Sequence, residues 1–401
     1  MKILMVSSYL PYPLHSGGNI RLYNILKKLN KKHNVTLVCE KRPYQTEKDI
    51  AEVEKICSKL ITVFRKKQWN LSNILLSAVS PNSFLVTGHT LIPMREKIEG
   101  LLAKEKFDLI HAETFYITHN IPESLLPLVV AEHNIEYMVY QRFSRSASPL
   151  LKPLLYIDIS KIKKNEEDTW KRANAVITVS KDDGEIVKQL NKNVYVIPNG
   201  VNINKFKIQN SKFKIDREEK TVLFIGNFKW VQNRDAAGFI LKEVWPILKS
   251  KFKSEKLKIR LWIVGKNIPD YFKKYNSEDI VFDENAPDDT SLIFQKSDIL
   301  LAPIRVGGGT SYKILEAMAS GVAVVTTTLG ASGLGAKNRK DLIVADREED
   351  IAKEVLGLIE NGDFFSKITK AARIFVEKNY DWDNIVKKLE KVYELAVDIQ
   401  H

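Results

Sequence analysis

Lys313 and Glu316 are the only charged residues in the run Tyr312, Lys313, Ile314, Leu315, Glu316, Ala317, Met318, Ala319, which is otherwise almost wholly apolar. Three positions apart on a helix, they share one face. An unpaired buried carboxylate costs several kcal/mol, whereas an exposed pair at this spacing returns only about 0.2–0.5 kcal/mol, so a structural ion pair is a weak reason for the pattern. A bound ligand is a stronger one. A carboxylate accepts two ribose hydroxyls at once, and a lysine near a helix N-terminus neutralises a diphosphate. Gly307, Gly308 and Gly309 just before the run let backbone approach such a ligand, Thr310 or Ser311 can cap the helix, and Gly321 can stop it. No Gly-Lys-Ser/Thr follows the glycines, so this is not a Walker loop.

A second glycine-rich loop, SSYLPYPLHSGGNIRLYNIL, sets Gly17 and Gly18 before a helix expected over Asn19 to Leu29. Its first amides could receive a phosphate or a sugar hydroxyl, although the same glycines also suit a plain tight turn. No G-x-G-x-x-G fingerprint is present. His111, His119 and His133, with Glu113, Asn134 and Glu136, fall near the ends of expected strands in the first half. Any one of these is ordinarily structural; their common placement makes Glu113 and His133 candidate catalytic residues, with Lys313. Asp182 and Asp183 look superficially like a metal pair, but Ser180, three residues before Asp183, fits a capping box better, and PDDTSLIF also reads as a helix start. No His-x-x-x-His or carboxylate cluster suggests a metal, and no metal site is expected.

The elements that must carry these residues are short apolar runs, each followed by a helical pattern. KILMVSS, NVTLVCE, FDLIHAE, PLVVAEH, NAVITVS and NVYVIPNG precede residue 201; TVLFIGN, IRLWIVGK, DIVFDEN, DILLAPI, GVAVVTTT and DLIVAD follow it. Strands apolar on both faces and alternating with helices form parallel sheets covered on both sides, so two doubly wound, Rossmann-like α/β domains are expected, joined within IPNGVNINKFK. In such sheets ligands bind beyond the carboxyl ends of the strands. Residues 138–175 read as interrupted helices, and WDNIVKKLEKVYELAVDIQ as an amphipathic helix with Ile385, Leu389, Val392 and Leu395 on its apolar stripe.

Length fits these domains: the sequence has 401 residues, with 44% hydrophobic and 28% charged residues. The 62 Lys+Arg against 49 Asp+Glu give a charge of +13, which favours anionic partners. Cys39 and Cys57 imply neither a disulfide framework nor zinc, and fit a reducing cytoplasm. MKILMVSSYLP is too brief an apolar run for a signal peptide or a membrane span, and Pro11 breaks it. Nucleic-acid binding lacks any motif beyond the charge.

SGG in the first loop, ANAVITVSKDDGEIV, VYVIPNGVNINKF, TVLFIGN and SDILLAPIRVGGGTSYKILEAMASGVAVVTT together resemble the GT-B glycosyltransferases of glycosyltransferase family 4. The resemblance implies two Rossmann-like domains facing across a cleft: an acceptor domain over 1–199, a donor domain over 200–380, and a closing helix over 381–401 that returns to the first domain, with Tyr380 and Trp382 at the crossover. It implies transfer of a sugar, with retention and without metal or other cofactor, from a UDP- or GDP-sugar to a glycan or lipid-linked acceptor. Glu316 matches the second glutamate of the family's E-x7-E motif, which binds ribose. Gly308 stands where the first glutamate would be, which resembles a subgroup with GGGT-x-x-K in its place, and leaves a catalytically silent nucleotide-sugar binder as the alternative. The donor loop after the second domain's first strand would be Gly226, Asn227 and Lys229, and one of Lys313, Arg305 or Lys229 would hold the diphosphate. Gly17, Gly18 and the Gly307–Thr310 amides would join them. The implied place is the cytoplasm, with peripheral contact at the anionic inner face of the cell membrane.

Overall fold

The computed structural model describes residues 1–65, 67–145, 148–206, 218–254, 257–287, 289–306 and 312–399. Gly307, Gly308, Gly309 and Thr310 lie outside the described residues. The chain forms two compact units, Met1–Pro198 with Ile385–His401, and Asn199–Asn384.

The first unit is built on β1 (Lys2–Ser7), β2 (Asn34–Lys41), β3 (Lys59–Phe64), β4 (Leu109–Glu113), β5 (Leu128–Glu132), β6 (Ala175–Thr178) and β7 (Val194–Val196). They form one parallel sheet in the order β3-β2-β1-β4-β5-β6-β7. The sheet has seven strands where six were expected. The extra strand, β3, lies at the edge and buries only Val63, so it lacks the two-sided apolar signature of its neighbours.

The second unit is built on β8 (Glu219–Ile225), β9 (Lys258–Val264), β10 (Ile280–Asp283), β11 (Ile299–Ala302), β12 (Ala323–Thr326) and β13 (Ile343–Val344). Its order is β10-β9-β8-β11-β12-β13, again parallel throughout. Alternate residues of β8 feed opposite faces: Val222 and Phe224 pack in one apolar cluster, Leu223 in another. Both sheets therefore follow the 3-2-1-4-5-6 winding, and each reverses direction between its first and fourth strands, β1/β4 and β8/β11.

Two local expectations are corrected. The first helix begins at Gly17, not Asn19: Ser16 is its N-cap and accepts from the Asn19 N–H at 3.3 Å, so Gly17 and Gly18 form its first turn. In the last helix, Trp382–Asp398, Ile385, Leu389, Val392 and Ala396 are buried but Leu395 is 45% exposed. The i, i+4, i+7, i+11 stripe reaches residue 396, and 395 falls off it.

Candidate active site

In the second unit the polar residues gather where the strand order reverses. β8 ends at Ile225 and hands on to Gly226, Asn227 and Phe228; the chain leaving β11 carries Arg305, and the helix Tyr312–Ala319 follows. That helix buries Ile314, Leu315, Ala317, Met318 and Ala319, leaving Lys313 and Glu316 only partly covered. It ends in a paired cap, Gly321 N–H to the Met318 carbonyl and Val322 N–H to the Ala317 carbonyl, around Gly321 at φ +65°.

Lys313 and Glu316 have different partners. Lys313 Nζ donates to Asn233 Oδ1 at 2.8 Å and lies 4.8 Å from the centre of the Phe224 ring. Burial pushes its ammonium down to about 7, against the opposing pull of Glu316. Glu316 faces the start of the helix Thr290–Gln295, whose Thr290 hydroxyl donates to it. Burial pushes its carboxyl up to about 7, Lys205 and Thr290 opposing. Two groups that both titrate near neutrality are poised to take or release a proton on meeting a ligand.

Of the other expected donor residues, Arg305 grips Asp235 with two hydrogen bonds, 3.1 and 2.9 Å, and stacks 4.0 Å from the Phe239 ring centre. Its charge is already matched, which weakens it as a diphosphate clamp. Lys229 is exposed at the end of the β8 loop. Asn227 Oδ1 accepts from the Lys229 N–H at 3.0 Å and from Asn267 at 3.2 Å, so its side chain shapes the loop. Gly226 is fixed by Asn233: a Cβ there would sit 2.7 Å from the amide carbon that carries the oxygen holding Lys313. Gly226→Ala is therefore expected to displace Asn233, release Lys313 and cost about 1–3 kcal/mol of stability, measured by denaturant unfolding. Asn233, Asp235 and Thr290 were not singled out in the sequence, since ordinary polar residues in helices carry no distinguishing pattern.

The first unit also collects its residues at its reversal point. The register of β1 and β4 aligns Ser7 with Glu113, at the carboxyl ends of both strands. Glu113 is fully buried; its Oε1 accepts from His111 Nε2 at 3.2 Å and its Oε2 from His133 Nε2 at 2.5 Å. Burial alone would raise the Glu113 carboxyl, but the two histidines outweigh it and hold the group below the usual carboxylate range. Because Nε2 of His111 carries the proton toward Glu113, its Nδ1 is an acceptor, and the Tyr393 hydroxyl donates to it at 2.8 Å. Burial pushes the Tyr393 phenol well up, which keeps that proton in place. With Nε2 donating to Glu113, His133 has Nδ1 as its acceptor atom.

Gly18 closes on this group: a Cβ there would be 3.1 Å from the Tyr9 hydroxyl and 3.6 Å from His133 Cε1. Thr114, next after Glu113, has φ +82°, an outlier for a β-branched residue of the kind that clusters at functional sites. Asn134 bonds to Glu136, whose carboxyl is raised by burial and lowered by His133. His119 stands elsewhere, in the 3-10 turn Phe115–Asn120; burial, with Arg172, pushes it down to about 4. Ser180 caps the helix Lys181–Val187, accepting from the Asp183 N–H at 3.1 Å, and the Asp183 carboxylate accepts from the Ser180 hydroxyl at 2.7 Å, which gives that acid a structural task.

Two Rossmann-like units, each with polar residues collected where its strand order reverses, define an α/β protein of the GT-B fold. Residues 15–205 match the model described as Glycosyltransferase Family 4, and residues 219–361 that described as Glycosyl transferases group 1. The chain is a glycosyltransferase and belongs to family 4 of the group 1 type. A relative in Klebsiella pneumoniae, an uncharacterized 44.6 kDa protein in a cps region, is 25% identical over 97% of this chain and 99% of its own. Among solved structures, sucrose-phosphate synthase from Thermosynechococcus elongatus superposes with a TM-score of 0.71 at 14% identity, over 98% of both chains. Anabaena HepE in complex with UDP and glucose does so at 0.63 and 17% identity, again over 98% of both. These two likenesses bear on fold. Among the described residues no helix is long and apolar enough to cross a membrane.

Proposed function

We propose that the chain is a retaining, metal-independent glycosyltransferase that moves a sugar from a UDP-sugar to a glycan or lipid-linked acceptor in surface polysaccharide or glycolipid synthesis. The observation that carries this reading is the pair Glu316 and Lys313, partly buried at the reversal point of the second sheet with separate partners and no mutual hydrogen bond to account for them. Glu316 accepts the ribose hydroxyls. Lys313, with the glycine-rich backbone before it, neutralises the diphosphate as the bond from the anomeric carbon to its oxygen breaks and the acceptor oxygen bonds that carbon, the acceptor's hydroxyl proton passing to the departing phosphate oxygen. His133 Nδ1, fixed by Glu113, accepts a hydroxyl of the reacting sugars. The bound UDP of HepE and the cps-region relative support the donor and the pathway class. Gly308, where the resemblance places a glutamate, favours the second reading, a silent nucleotide-sugar binder.

Thermal-shift titration with UDP-, GDP-, ADP- and CMP-sugars should show stabilisation by one nucleotide class. UDP release that requires an acceptor then marks a transferase; a shift without release marks the silent binder, and no shift with any donor overturns both readings.

The Lys313 charge gives a further prediction. It is cationic below about 7 and neutral above, so its attraction for the diphosphate falls as pH rises. The advantage of Lys313→Arg over wild type in UDP-glucose affinity is expected to grow by up to roughly tenfold between pH 6 and 9, because arginine does not titrate there. Calorimetric titration at each pH measures it, and parallel curves would remove Lys313 from the diphosphate site.

A further inference from the structure

We propose that Arg373 and Lys205 are positioning residues for the second unit's site: Arg373 fixes the backbone on both sides of Lys205, and the ammonium so held supplies the positive charge that faces Glu316. The inference rests on the ribose reading for its effect on binding, but its effect on Glu316 itself is measured without ligand.

Arg373 lies in the helix Gly362–Tyr380, where Ala372 and Val376 share an apolar cluster with Ile314, Leu315 and Met318 of the Glu316 helix. This packing brings the guanidinium to the last turn of that helix. Its Nη1 donates to the Ala319 carbonyl and, at 2.6 Å, to the Phe206 carbonyl; its Nη2 donates to the Ile203 carbonyl at 3.4 Å. Nε bonds Glu377, four residues on along its own helix. A guanidinium is a rigid planar fork of five donors, so carbonyls from the Glu316 helix and from the turn at 203–206 are held in one fixed relation. A lysine ammonium lacks that fork.

Lys205 stands between the two turn carbonyls that Arg373 grips, and its own N–H is tied to Asn202 Oδ1 at 3.2 Å. Its Nζ pairs with Asp289 Oδ1 at 3.2 Å and lies 5.5 Å from the Phe206 ring centre. Asp289 caps the helix Thr290–Gln295, and Thr290, next in the chain, donates its hydroxyl to Glu316. Contacts therefore run without a gap from Arg373 to Glu316. The charged groups that face Glu316 are Lys205, Asp289 and Lys313; the two lysines favour its carboxylate, Asp289 opposes it, and Lys205 is the more influential lysine. Lys313 is turned to Asn233 instead. With burial already raising the Glu316 carboxyl to about 7, loss of the Lys205 charge leaves it largely a neutral acid at that pH, a poorer acceptor of ribose hydroxyls.

The test is Lys205→Met, with Arg373→Met and Arg373→Lys alongside, in the full chain. Thermal unfolding of the ligand-free proteins is followed from about pH 5 to 9. Wild type should lose stability in a step as pH rises through about 7, and Lys205→Met should move that step up by about half to one pH unit. The step should vanish in Glu316→Gln, with or without Lys205. Arg373→Met should copy the Lys205→Met shift, adding Lys205→Met to it should move the step no further, and Arg373→Lys should fall between; if Arg373→Met does not fold, Arg373→Lys takes its place. In calorimetric titration, Lys205→Met should bind UDP-glucose about three- to eightfold more weakly than wild type at about pH 6.5 and within about twofold of it at about pH 9, a recovery that a purely structural loss does not give. Lys313 titrates in both proteins and cancels from the ratio. An unmoved step in Lys205→Met or in the Arg373 variant, or an affinity loss of equal size at both pH values, overturns the proposal. A moved step with wild-type affinity at every pH upholds the placement of charge and overturns the ribose reading instead.

Discussion

Glu316→Ala is expected to weaken UDP-sugar binding by at least about a hundredfold, because a hydrogen bond to a charged group contributes about 1.5–3 kcal/mol and ribose offers two. Calorimetric titration reads the loss directly. Glu316→Gln keeps one good acceptor and should lose less, with a gap from wild type that widens as pH rises through about 7, where the carboxyl ionises. Stability should move the other way. The folded carboxyl is raised above its unfolded value, so its burial favours folding below the unfolded value, and that advantage is lost as pH rises through about 7. Glu316→Gln removes the cost of a buried charge and should raise the unfolding temperature of the ligand-free protein above that pH. Weaker binding in a more stable protein is the signature of a residue kept for its ligand. A variant that is less stable but binds normally would assign Glu316 to the fold.

Glu113→Gln is expected to lower the transfer rate by about a hundredfold or more and to cost about 3–5 kcal/mol, since it removes the one anion between two imidazoles. Glutamine can accept from one histidine only; its amide confronts the N–H of the other. The sign with pH is set by a folded carboxyl held below its unfolded range. Its stabilisation is present above the unfolded value, about 4.3, and is lost as pH falls toward the folded one. Wild type should therefore lose stability in acid more steeply than Glu113→Gln, as read by denaturant unfolding between about pH 3 and 7. An unchanged transfer rate would restrict the Glu113 and His133 pair to a structural role.

The central strands were legible because they are apolar on both faces, as a covered parallel sheet requires. Among the edge strands, β7 and β10 were read from short apolar runs that end in turn residues, NG and DEN, whereas β3 runs straight into Arg65 and the lysines after it with no such stop. Lys313 and Glu316 stood out because charge on an apolar helix is conspicuous, but nothing local tells that one leans on Asn233 and the other on Thr290. The link from Tyr393 to His111 was wholly hidden: 282 positions separate them, and each alone looks like an ordinary core residue. Gly17 and Gly18 were misread by two residues, because a serine cap outranks glycine as a helix start and Ser16 was not weighed.

Residues 385–398, which support His111 from behind through Tyr393, emerge from the ribosome only after the whole of the second unit. The first sheet is thus synthesised early but completed late, and the second unit can finish folding before it. A ribosome stalled before residue 385 would release a protein with a complete second unit and an unfinished first unit. Under the proposed function, shortened chains should bind nucleotide without turning it over, so one late helix separates binding from transfer.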